Sequence, residues 1–138
     1  MSDNPFAGKW TYRSLLNDPH VNTDFDKLEF GRGTLVIEGA PLDLLKGKIG
    51  GPGWSLALHG SRGYGSPMQV RFQGKGIVSG AEWIYDYIGW LVPIWPNSDA
   101  PRQRAAIVGS VTRTIPHPSN GGVAPAGVVA SFYAVREG

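Results

Sequence analysis

The chain has 138 residues, about one domain, and 41% are hydrophobic, including 5 Trp, 5 Tyr and 5 Phe; that supports a packed core and excludes a disordered segment. Thirteen Lys and Arg against eleven Asp and Glu leave a net charge of +2 without any basic run, which excludes the electrostatic footprint of a nucleic-acid binder. Cysteine is absent, so disulfides, thiolate catalysis and thiolate metal sites are excluded too.

The opening Met1-Ser2-Asp3-Asn4-Pro5 has no basic start and no apolar run, so a soluble, cytoplasmic protein without a secretion signal is expected. The first strand is expected over residues 9–16, stopped by Asn17-Asp18-Pro19. Residues 26–30 and 33–38 follow, with Gly31 and Gly33 marking a bulge or bend in one longer strand. Residues 42–46 are the single stretch able to form a turn of helix, between Pro41 and Gly47. Further strands are expected over 44–49, 54–60, 68–77, 81–92, 104–115 and 127–136, divided by Gly- and Pro-rich turns. Residues 115–127 read as a loop over a rim, because another strand-like run follows.

About eight strands with mostly hairpin-sized links and no βαβ alternation predict an all-β domain spanning residues 1–138. The expected architecture is an antiparallel up-and-down barrel, which leaves no open edge. A two-sheet sandwich is the rival. The longest apolar stretch, residues 84–95, contains Asp86 and Pro93 and is too short to span a bilayer as a helix.

Gly8-Lys9-Trp10 resembles the G-x-W opening of the calycin superfamily, the lipocalins and avidin-like proteins. The resemblance implies that Trp10 closes one end of the barrel and that Arg136, on the last strand, packs across it. Length and strand meander agree with this likeness. The biotin-binding residues of avidins find no match here one by one, so biotin is not implied, and fold likeness does not establish function.

Polar aromatic residues within strands carry the functional reading. Trp83, Tyr85 and Tyr87 alternate and share one face, opposite Ile84, Asp86 and Ile88. Trp10, Tyr12 and Ser14 alternate on the first strand, and Val129, Ser131 and Tyr133 on the last. A barrel of eight strands has room for side chains or one small ligand. The expected site is therefore a cavity for a small, largely apolar ligand, lined by Tyr12, Trp54, Trp83, Tyr85, Tyr87 and Tyr133, with Arg71 as an anion handle. The bland alternative is that these rings fill the core or face a partner.

Asp86, mid-strand among apolar residues, is either an exposed or interface ion pair or a general acid or base, with Arg71 or Arg113 as partner. A cyclase- or isomerase-type enzyme shaping an apolar intermediate in the same cavity is the second function, and an accessory barrel with a filled lumen the third; no catalytic residue is assigned. His20, His59 and His117 lack metal-ligand spacing, and Gly50-Gly51-Pro52-Gly53 lacks the Lys-Ser/Thr ending of a phosphate loop, so neither metal nor cofactor is expected. Residues 88–95 and 105–108 are apolar at successive positions. Both faces of those strands then need cover, which predicts a homo-oligomer, as an avidin-like resemblance also implies.

Overall fold

The structure is a computed structural model and describes residues 4–97 and 102–137; residues 1–3, read above for a leader, lie outside these. Strands β1 (Gly8–Leu16), β2 (Glu29–Gly39), β3 (Leu44–Gly51), β4 (Trp54–Gly63), β5 (Gln69–Val78), β6 (Ala81–Val92), β7 (Ala106–Arg113) and β10 (Val129–Val135) make a closed antiparallel barrel. Each strand pairs with its neighbour in the chain, and β1 pairs with β10 to complete the circle. A small hairpin, β8 (His117–Ser119) and β9 (Gly122–Ala124), interrupts the connection from β7 to β10. The up-and-down barrel expected from the turn spacing is therefore present, and the sandwich is not. No helix among the described residues is long and apolar enough to cross a membrane.

Two local expectations need correction. Residues 26–28 belong to a single helical turn, α1 (Phe25–Leu28), and not to a strand. This turn brings Asp26 within 3.2 Å of the Arg13 guanidinium on β1. The helical turn expected over residues 42–46 shrinks to a 3-10 turn, Pro41–Asp43, because Leu42 and Asp43 adopt positive φ and break it. The break at Gly31 proved to be a bulge: pairing slips between Ser14 and Leu15 while β2 runs on unbroken.

Alternation decides what points inward. Trp10, Tyr12 and Ser14 on β1, Leu56 and Leu58 on β4, Val70 and Phe72 on β5, Tyr85 and Tyr87 on β6, and Ala130, Phe132 and Ala134 on β10 are all buried. The residues between them face out.

The two ends of the barrel differ. At the end where β1 begins, Trp10 is fully buried, its Nε1 donating to the Phe6 carbonyl at 3.0 Å. The Arg136 guanidinium lies 4.4 Å above the indole and donates to the carbonyls of Ala7 and Pro5. Gly8 is needed here, since its φ is +139° and a Cβ would stand 2.5 Å from the Arg136 guanidinium. Thus the Gly and Trp of Gly8-Lys9-Trp10 and the distant Arg136 form one plug, the arrangement the calycin resemblance implies. At the opposite end, the β8–β9 hairpin lies beside the turns that join β3 to β4 and β5 to β6.

Candidate functional site

Near the hairpin end the lumen is hollow. A cavity of about 180 Å³ is walled by Tyr12, Phe30, Trp54, Trp83, Tyr85 and Tyr87, with Ser14, Gly31, Leu56 and Val111 completing it. Small residues make the space: Gly31 on β2 stands opposite Ser14 on β1, and neither fills the barrel axis. Towards the plug the rings close up. Phe72 stacks on Tyr87 at 4.8 Å, and Tyr12 and Phe132 pack against that pair.

The floor of the cavity carries hydroxyls and no free charge. Burial pushes the Tyr12 phenol far above its ordinary range, offset in part by hydrogen bonds with Ser14 and Tyr87. Burial pushes Tyr87 up as well, reinforced by the neighbouring phenols of Tyr12 and Tyr85. Both stay neutral at physiological pH, so each hydroxyl can donate one hydrogen bond and accept others.

The hairpin is fastened to the rim by a directed chain. His117 is buried, and its ring stacks on Trp83 at 4.0 Å. Its Nδ1 lies 3.0 Å from the Pro118 carbonyl, an acceptor only, which assigns the ring proton to Nδ1. Nε2, 2.7 Å from the Tyr85 hydroxyl, then accepts a hydrogen bond from it. The Arg113 Nε donates to the same Tyr85 oxygen at 3.0 Å, and its Nη1 donates to the Pro125 carbonyl. The guanidinium also lies 5.1 Å from the Phe30 ring centroid. Arg113 is thus engaged at the rim and does not line the cavity.

Five of the seven residues named from sequence meet here: Tyr12, Trp54, Trp83, Tyr85 and Tyr87. Arg71 and Tyr133 do not. Arg71 sits between the inward Val70 and Phe72, so its side chain faces solvent. Tyr133 sits between the inward Phe132 and Ala134 and stands beside Arg13 of β1 on the outer surface. Proximity of Tyr12 and Tyr133 across adjacent strands is therefore prevented by opposite parity. Asp86 is exposed as well, and its partners are Gln73 and Thr114, not Arg71 or Arg113. It has no access to the lumen, so the acid–base role considered for it there has no geometric basis.

Local sequence does not mark Arg113 and His117 as site residues. His117 meets Tyr85 across 32 positions of sequence, through a hairpin whose fold-back no local pattern announces. One signal was available: Pro116 and Pro118 stiffen the chain on both sides of His117. No group of three or more His, Asp or Glu side chains among the described residues is placed to hold a metal.

Site and scaffold together define an eight-stranded antiparallel barrel with an aromatic hollow at one end, consistent with a calycin-like fold in strand number, order and closure. Compared with protein families, curated proteins and solved structures, the chain matches none.

Proposed function

We infer that the barrel binds a small, largely apolar molecule in the hollow beneath the β8–β9 hairpin. One observation carries this reading: a barrel otherwise packed with large rings is left empty at Ser14 and Gly31, beside half-buried Trp54 and Trp83. Filling that space with a side chain would bury more apolar surface and would stabilise the fold. Its emptiness supports a ligand over an accessory barrel with a filled lumen. The volume holds about six waters at roughly 30 Å³ each, or one or two fused rings. Neutral phenols and the lack of a free cation among the described residues of the wall favour an uncharged ligand.

Native mass spectrometry of protein isolated from its host tests the reading. A small adduct is expected on the wild type and not on Gly31→Val, whose side chain would enter the cavity. Wild type that stays bare, even when titrated with neutral one- and two-ring compounds, would end it.

A second copy of the chain is the partner we infer for the outer face. Trp90, Val108 and Tyr133 stand side by side across β6, β7 and β10, and each keeps over a third of its surface exposed. A two-fold contact sets this uncharged row against itself. Sedimentation at micromolar concentration is expected to show a dimer or larger species, and Val108→Lys to shift it to monomer. A wild-type monomer would overturn the assignment.

A further inference from the structure

The hollow has a neighbour with which it shares two wall residues, Trp54 and Trp83. Outside it, between the β8–β9 hairpin and the two neighbouring turns, lies an open bowl of about 690 Å³. Trp54 and Trp83 wall both spaces, so the two indoles stand between the lumen and the bowl. The bowl differs in chemistry from the lumen. Ser79, Ser119 and Asn120 supply hydroxyl and amide groups, and among the described residues no Asp, Glu, Lys, Arg or His lines it. Ser79 and Asn120 occupy tight turns at φ of 50° and 48°, each followed by a glycine at positive φ. These backbone positions fix where the two polar side chains begin, one on the β5–β6 turn and one on the β8–β9 hairpin.

We propose that the ligand has two parts: a flat apolar ring system in the lumen and a neutral, hydroxyl-rich extension in the bowl, the chemistry of an aryl glycoside. The proposal rests on the lumen-binding reading and deepens it. A sugar offers hydroxyls that donate to and accept from serine and asparagine, and apolar C–H faces that pack on indole. A carboxylate or phosphate in the same position would meet no cation. A purely apolar extension would strip water from Ser79, Ser119 and Asn120 and return no hydrogen bonds to them. Because Trp54 and Trp83 border both spaces, such a ligand would carry its thin glycosidic link between the two indoles.

Calorimetric titration of the full chain with 2-naphthol, 2-naphthyl β-glucoside and 2-naphthyl β-galactoside tests this. At least one glycoside is expected to bind ten-fold or more tightly than 2-naphthol. The double variant Ser79→Gly/Asn120→Gly keeps both left-handed turns and removes both polar side chains; it should lower glycoside affinity to the level of 2-naphthol and leave 2-naphthol unchanged. Glycosides that bind no better than 2-naphthol, or an advantage that survives in the double variant, would overturn the two-part ligand and leave the lumen reading standing. Failure of all three compounds to bind would overturn both.

Discussion

The plug end and the hairpin end of this barrel are built from the same kinds of residue and do opposite things. At the plug, the indole of Trp10 is buried, its N–H is matched to the Phe6 carbonyl and its face is covered by Arg136. At the hairpin end, Trp54 and Trp83 remain half-buried, and glycine and serine occupy inward positions where large side chains would complete the packing. Aromatic content alone therefore does not distinguish core from site. What distinguishes them is whether each ring has its polar atom and both faces satisfied by the chain itself.

The largest expected effect lies at the plug. Trp10→Ala should destabilise the fold by about 3–5 kcal/mol in denaturant titration, as the cavity and the stranded Arg136 add to lost burial; a loss below about 1 kcal/mol would mean that the plug contributes little. The boundary between packed and hollow halves responds next, to alkali. Tyr12 and Tyr87 have folded-state pKa values raised above the unfolded ones. The proton they keep therefore stabilises the fold fully below the ordinary phenol pKa of about 10, and that contribution is lost as pH rises beyond it. Tyrosinate absorbance should show these two phenols ionising only as the barrel unfolds, and Tyr87→Phe should flatten the fall of stability with pH. Early ionisation of all five tyrosines would contradict their burial.

At the hollow end, substitution is expected to affect binding before stability. Gly31→Val places its Cβ 3.2 Å from the Ser14 hydroxyl and points further atoms into the space. Affinity for a two-ring compound should fall roughly ten-fold or more, equivalent to about 1.4 kcal/mol, while the thermal unfolding temperature holds or rises as the void is filled. The smallest effect belongs to Asp86. As an exposed carboxylate held by an amide and a hydroxyl, its change to Asn should cost less than about 0.5 kcal/mol and leave ligand affinity intact in calorimetry.

Much of the barrel was legible in the chain because period-two alternation and turn residues are local signals. Alternation and the flanking turns bound the strand Ala81–Val92, and they set Trp83, Tyr85 and Tyr87, its inward face, apart from Ile84, Asp86 and Ile88. The site was legible only where parity could be anchored this way. On the last strand the polar-aromatic face, Ser131 and Tyr133, was the outer one, and the inward face carried Ala130, Phe132 and Ala134. A ring with a hydroxyl suits a lumen and an exposed row equally, so composition misled. The hold of Arg113 and His117 on Tyr85 was illegible for another reason, since it depends on a hairpin folding back over the mouth.

The latch between the two ends of the chain also sets an order of events during synthesis. The Arg136 guanidinium bonds carbonyls 129 and 131 positions earlier, and β1 has no partner on one side until β10 exists. A nascent chain halted before the final strand presents two bare edges at once, each a template for pairing with other molecules. The finished protein hides that hazard, so the interval between the emergence of β7 and that of β10 is when this barrel depends most on protection from its neighbours.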